Sequence, residues 1–333
     1  MLQLLNNPRA GLLKAQGKLA EAESLYKRSL AIDEKVYGPH HPEVAKDLNN
    51  WAGLLQDQGK LDEAGPLYVR ATEILEKALG PDHPQVATAL NNRAELLRAQ
   101  NVPPGGVVEH SFIRLPYSAH SFHPLHHIQG NYDQAGMLYK RSLAIREKVL
   151  GPDHPNVAQS LNNRAGLLSA QGNYAEAVPL NERATEIWIK ALGPEHPQVA
   201  TALNNRAAGL LSNCSPAGKF AEAEPLFRRA TEIWETALGP EHPQMATALN
   251  NLAGLLKAQG KPSEAERLYE RTQEIFEKSL GQDHPNVATI LNNRAGLLRA
   301  QVRALEKFPG IFLWWSVGCS RCSTTGRGCC TIM

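Results

Sequence analysis

A His-Pro dipeptide recurs along this chain, at His41-Pro42, His83-Pro84, His154-Pro155, His196-Pro197, His242-Pro243 and His284-Pro285. The intervals are 42, 71, 42, 46 and 42 residues, so the two long ones are a single period of 42 carrying insertions of 29 and 4. Eight residues after each histidine stands an Asn-Asn pair. A fixed period of this size describes a stack of small units, because each unit buries its apolar face only against its neighbours.

The punctuation around each dipeptide predicts helices. Gly38 suits the left-handed position after a helix, and Pro39 cannot continue that helix. His41 precedes proline and is pushed out of the α region, while Pro42 fits the first turn of a new helix. Helix A of this repeat is expected over Pro42–Asp57, with Val44, Leu48, Trp51, Ala52 and Leu55 at helical spacing. Helix B is expected over Leu61–Leu79, with Ala64, Leu67, Tyr68, Ala71, Ile74 and Leu75 on one face. Three slots recur on the B helices. A small slot holds Ala22, Ala64, Ala135, Ala177, Ala223 and Ala265. An aromatic slot holds Tyr26, Tyr68, Tyr139, Phe227 and Tyr269, with Asn181 departing. The third is Ile32, Ile74, Ile145, Ile187, Ile233 and Ile275. The fold class that follows is all-α, a right-handed α-solenoid of tandem antiparallel helix hairpins. About six hairpins and a final lone helix near Pro285–Gln301 would occupy residues 1–301. Asn7 and Pro8 are expected to restart a shortened first helix A.

Composition narrows the function classes. A net charge of +2 with 20% charged residues points to neither nucleic acid nor an anionic membrane as partner. Four of five cysteines crowd the final residues, a distribution unlike a secreted disulfide framework, so a reducing cytoplasmic location is expected. No basic-then-apolar leader opens the sequence, and the run Ile311–Trp315 is too short to span a bilayer. No Gly-x-x-x-x-Gly-Lys-Ser/Thr loop, triad or paired-carboxylate site stands out. The His-Pro histidines sit one repeat apart, too far to share a zinc ion. No enzyme activity, cofactor or metal is expected.

Glycine, then Ala five residues on, then an aromatic four further, resembles the tetratricopeptide pattern. The longer period and the strings GPDHPQVATALNNRA and AEAEPLFRRATEIWETALGPEHP resemble the kinesin light chain repeat class, over residues 10–301 apart from the insertions. The unit is also similar to that of nephrocystin-like proteins and of the arrays behind NB-ARC nucleotide-binding switches. The chain has neither a heptad run nor a P-loop to select among them. The resemblance implies that helix A lines an inner face and that the first asparagine of each pair points into it: Asn49, Asn91, Asn162, Asn204, Asn250 and Asn292. A primary amide donates and accepts, which suits gripping an extended peptide backbone. The alternative is that the pairs bridge adjacent A helices, and both are compatible. Lys46, Arg98, Lys257 and Arg299 would add positive charge, favouring an acidic or C-terminal carboxylate ligand. The implied function is a protein-protein interaction scaffold, as a cargo adaptor in a motor complex, or alternatively a ligand-sensing receptor array or a structural spacer.

Some segments depart from the pattern. The position after Asn-Asn holds Arg93, Arg164, Arg206 and Arg294, with Trp51 and Leu252 elsewhere. Each arginine must lay its stem on the hairpin and reach solvent, or pair with a helix B carboxylate. Residues 101–129 interrupt the third repeat and are expected to be disordered, as is the tail 302–333. Both begin after Ala-Gln where the turn glycine is due, as translated intron would, or as a functional loop and an extension would. His110, His120, His123, His126 and His127 of the insert, and Cys319-x-x-Cys322 with Cys329-Cys330 of the tail, have ligand-like spacing but no regular framework around them. One extra residue at Ala207–Ala208 must create a bulge or shift Leu210 and Leu211 around the helix.

Overall fold

The computed structural model describes residues 10–14, 18–100, 125–212 and 216–306. Residues 10–14 are helical, and the following helices are α1 (Leu19–Tyr37), α2 (Pro42–Asp57), α3 (Leu61–Leu79), α4 (Pro84–Gln100), α5 (Leu125–Leu150) and α6 (Pro155–Ala170). They continue as α7 (Tyr174–Leu192), α8 (Pro197–Ser212), α9 (Pro216–Leu238), α10 (Pro243–Ala258), α11 (Pro262–Leu280) and α12 (Pro285–Glu306). Among the described residues there is no strand. The chain divides into a unit over Met1–Pro240 and one over Glu241–Met333.

In the first unit, three B-type helices are wedged between two A-type helices: α3 between α2 and α4, α5 between α4 and α6, α7 between α6 and α8. Successive A helices also touch. In the second unit α11 sits in the same way between α10 and α12. This is the hairpin stacking of an α-solenoid. The alanines at 22, 64, 135, 177, 223 and 265 have no exposed surface, so a larger side chain there would push the hairpin apart.

The histidine of each His-Pro starts helix A in a way the sequence did not reveal. His41 takes extended φ and ψ of -79° and 145°, the geometry of an N-cap and of a residue before proline. Its Nδ1 accepts the backbone N–H of Glu43 at 3.2 Å. His83, His154, His196, His242 and His284 accept from the second residue after them at 3.1 to 3.2 Å. Proline at the first helical position has no N–H, so the imidazole satisfies the first orphan donor that exists.

Glycines close both turns. Gly38 has φ 87° and ψ 160°, a combination beyond the left-handed helical well and open in practice only to glycine. Between A and B, Gly59 has φ 76°, and Lys60 N–H reaches back to Leu55 O at 2.9 Å. Where residues are inserted at this turn, the glycine ceases to be a turn: Gly130 and Gly218 lie inside α5 and α9. Accordingly α5 begins at Leu125, within the segment expected to be disordered, and α12, lacking the turn glycine, runs on to Glu306. Residues 101–124 and 307–333 lie outside the described residues.

The irregular fifth repeat is a compensated change of size. Tyr26, Tyr68 and Tyr139 each share a core cluster with a leucine of the next A helix: Leu54, Leu96 and Leu167. At the next step Asn181 replaces the tyrosine, and the extra residue brings Gly209 to the leucine's place in the count from His196. A Cβ on Gly209 would lie 3.1 Å from Val178 Cγ2, so the α8 backbone closes onto α7 where two large side chains have become small. Helix α8 stays α-helical, and Leu210 and Leu211 are rotated to half-buried positions instead of forming a bulge.

Arg146 is a buried exception of another kind. The residue after the invariant-slot isoleucine is apolar in Leu75, Trp188, Trp234 and Phe276, but Arg146 is only 6% exposed. Its guanidinium donates to Asn156 O at 2.9 Å, Ser160 Oγ at 2.8 Å and Thr88 Oγ1 at 3.4 Å, all neutral acceptors. Burial pushes its pKa down.

Outside, ion pairs tie successive B helices: Arg70–Glu34 at 2.6 Å, Arg141–Glu76 at 2.6 Å and Arg183–Glu147 at 2.8 Å. Ile189 occupies the glutamate position at the next step, and Arg229 reaches Glu195 instead. Exposed pairs of this kind contribute about 0–1 kcal/mol each.

Two stability outcomes follow. His83→Ala should lower stability by about 1 kcal/mol, and His83→Asn, which keeps a capping acceptor, should restore most of it in thermal unfolding. Arg146→Leu alone strands the Ser160 hydroxyl, whereas R146L/S160A recreates the Leu75–Ala89 pairing of the second repeat. The double variant should therefore unfold at a higher temperature than either single variant, by roughly 1–4 kcal/mol relative to the parent.

Candidate functional site

The A helices present the asparagine pairs in a regular order. Asn163 Nδ2 donates to Asn91 Oδ1 at 3.1 Å, and Asn205 Nδ2 to Asn162 Oδ1 at 3.0 Å. In the second unit Asn293 Nδ2 donates to Asn250 Oδ1 at 2.9 Å. In these steps the second asparagine of one repeat grips the first asparagine of the repeat before it, and the ladder bridges adjacent A helices. The first asparagines Asn91, Asn162, Asn204 and Asn250 are accordingly 7–8% exposed, while Asn292 is exposed and Asn49 half-buried. The second members Asn50, Asn92, Asn163, Asn205 and Asn293 are half-buried and Asn251 is buried, so the second amide is the more open one in the pairs 91/92, 162/163 and 204/205.

One rung differs. Asn49 Oδ1 has no hydrogen-bond partner, although Asn92 stands at the position that fills it elsewhere. Around this break lies a concavity of about 350 Å³, to whose walls Asn49, Asn50 and Asn92 contribute. Its floor includes Gly53, where a Cβ would sit 3.5 Å from Tyr68 Oη and 3.7 Å from Lys14 Nζ. Tyr26 and Tyr68, read from sequence as core contacts, also line it. Tyr68 donates to Gln56 Oε1 at 3.4 Å, and burial, reinforced by the charges of Asp57 and Glu95, pushes its pKa up to about 12. The phenol is therefore a neutral donor throughout the physiological range. Lys14 closes on Asp57 at 2.8 Å and on Gly53 O at 3.3 Å. Lys14 was missed because the short first helix obscured its equivalence to Gln56, Arg98 and Lys257.

The predicted cations divide. Lys46 is exposed and pairs with Glu43 at 3.3 Å in its own helix. Arg98 pairs with Glu95 at 3.1 Å; burial lowers its pKa, but Glu95 outweighs that and the net direction is up. In the second unit Lys257 is half-buried and Arg299 exposed, and among the described residues neither has a carboxylate within ion-pairing distance. Lys257 Nζ lies 3.2 Å from where a Cβ of Gly296 would be, and burial lowers its pKa.

The arginines after the asparagine pairs follow the preceding B helix. Arg206 pairs with Glu182 at 2.8 Å, and Arg294 with Glu266 at 2.6 Å and Glu270 at 3.0 Å. Before Arg93 and Arg164 the equivalent places hold Gly65 and Val69, or Gly136 and Lys140, and no ion pair forms among the described residues. At Trp51 the matching residue is Lys27, whose Nζ lies 5.2 Å from the ring centroid.

Among the described residues no three His, Cys, Asp or Glu side chains gather as metal ligands, and no helix is long and apolar enough to cross a membrane. His110, His120 and His123 and the tail cysteines lie outside the described residues, as do the side chains of His126 and His127.

No curated protein matches the chain. Among solved structures it is similar to the nearly identical TPR-like repeats of a Podosopora anserina protein described as a kinesin light chain, in a variant form. The identity is 25%, covering 72% of this chain and 97% of that one, with a TM-score of 0.52. It is also similar to BtubC (BKLC) from P. vanneervenii, at 18% identity, 80% and 94% coverage and a TM-score of 0.57. The apo form of RapI is 13% identical, with 92% and 100% coverage and a TM-score of 0.55. The tetratricopeptide repeat model matches residues 1–50, 47–101, 125–187, 157–213, 212–278 and 245–304. With its stacked hairpins and its recurring glycine, alanine and tyrosine slots, the chain belongs to the tetratricopeptide repeat family.

Proposed function

We propose that the chain is a non-catalytic scaffold that seats an extended peptide segment of a partner protein on its A-helix face. The observation that carries this reading is the break in the asparagine ladder. Asn49 Oδ1 is left without a partner in the wall of a polar concavity. An unpaired buried amide oxygen costs about 1–3 kcal/mol, which a backbone N–H of a bound segment would offset once the Asn49 amide turns toward the concavity. The glycine floor favours the same ligand, since it lets a peptide backbone approach closely. Such a surface binds by positioning alone.

Charge divides the ligand preference. In the first unit Lys14 and Asp57 neutralise one another and Glu95 is held by Arg98, so the concavity suits neutral polar contacts. In the second unit Lys257 and Arg299 are free to meet an acidic side chain or a terminal carboxylate. The likeness to kinesin light chain repeats supports a cytoplasmic cargo adaptor within a motor complex as the specific role.

Selection of peptides from a random display library against the chain tests this. N50A/N92A should weaken a selected peptide about tenfold at an unchanged melting temperature, about 1.4 kcal/mol of binding. K257A/R299A should remove any preference for acidic peptides. Failure to select any peptide, or selected peptides indifferent to both double variants, would sink the reading.

A further inference from the structure

The last helix keeps a face that its counterparts bury. Leu291 is 48% and Leu298 52% exposed, whereas the equivalent Leu249 and Leu256 of α10 are 5% and 1% exposed. Ala288 and Ala295 are exposed where Ala246 and Ala253 have no accessible surface. Val302, 54% exposed, extends the stripe one turn beyond the length of an ordinary A helix. In α10 this face is covered by α11. The opposite face of α12, with Val287, Ile290 and Leu297 at 1–2% exposure, is buried. The stripe at 291, 295, 298 and 302 is therefore the seat of a helix B, and among the described residues nothing occupies it.

The 27 residues after Glu306 lie outside the described residues and do not repeat the helix B pattern; the alanine, tyrosine and isoleucine slots are missing. Their sequence nevertheless opens with Lys307-Phe308-Pro309-Gly310, and Pro-Gly marks a chain reversal. Directly after it comes Ile311-Phe312-Leu313-Trp314-Trp315-Ser316-Val317, the most apolar stretch of the tail. From Leu291 to Val302 the helix rises about 16 Å. Seven extended residues span about 23 Å, enough to cover the stripe after a four-residue reversal. A tether this short gives the segment a local concentration in the millimolar range, above that of a second copy in solution.

We infer that residues 311–317 are a built-in cap that docks on the Leu291, Leu298 and Val302 face of α12 in place of the absent helix B. This makes the tail an interacting part of the array.

Iodide quenching of tryptophan fluorescence on the full chain tests this, with a W314F/W315F variant subtracted to isolate the tail pair from Trp51, Trp188 and Trp234. The tail pair should be shielded in the parent chain. L291K/L298K, two changes at exposed positions, should raise its quenching severalfold while far-ultraviolet circular dichroism confirms retained helix. The inference is overturned if the pair is fully quenched in the parent, or if its shielding is indifferent to L291K/L298K. It is equally overturned if the shielding is lost on dilution, which would make a second copy the occupant.

Discussion

Everything in this molecule depends on one packing constraint: a B-type helix has to lie between two A-type helices at backbone-close distance. A single hairpin has too little surface to bury both faces of either helix, so the apolar contacts holding it are mostly supplied by neighbours. The alanine slot sets the approach, and the aromatic slot then fills the gap left toward the next A helix. The fifth repeat shows how strict the constraint is. Asn181 removes a ring, and the added residue at Ala207–Ala208 puts Gly209 where a leucine stood, leaving the α8 backbone close against Val178. Either change alone would leave a void or a clash costing about 1–5 kcal/mol.

The turn chemistry enforces that packing from the backbone side. Histidine, proline and glycine act together: the glycine turns the chain at positive φ, the proline fixes the first helical residue, and the histidine both adopts the cap conformation and fills the donor that proline leaves open. This also explains what insertion does. When residues enter the A–B turn, the glycine is no longer at the reversal, and it joins the next helix as Gly130 and Gly218 do. The hairpin survives because α4 still packs on α5 and α8 on α9. Its registry is carried by side chains rather than by the turn.

Helix bounds, the three core slots and the period were legible because each rests on local rules repeated six times. α2 and α3 span the residues that spacing predicted, Pro42–Asp57 and Leu61–Leu79. The capping role of the histidines was hidden because His is not among the usual cap residues, and its Nδ1 competes for that place only when proline follows. The amide ladder was half legible. Spacing showed that the pair recurs; it could not show that the second member donates back to the preceding repeat while the first accepts, since that depends on the offset between successive A helices. The groove tyrosines were hidden for a related reason: one side chain has its ring in the core and its hydroxyl at the concavity, and an apolar-periodicity argument sees only the ring.

The arginine position shows how far local rules carry and where a pair rule takes over. Taken alone, Arg93, Arg164, Arg206 and Arg294 pose the same problem, a guanidinium at a half-buried place. Taken with the residue after the aromatic slot of the preceding B helix, they separate: Glu182 and Glu270 meet arginines, Lys27 meets Trp51, and Val69 and Lys140 meet arginines that make no ion pair. The interface between consecutive repeats thus varies from step to step, with the arginine–glutamate form recurring at Arg206 and Arg294. That individuality bears on function. A ladder of identical rungs would present the same surface at every repeat, whereas Asn49 Oδ1 in the first unit lacks the partner that Asn91 and Asn162 have. Under the proposed reading such differences matter within each unit, because identical repeats would offer a bound segment no preferred register.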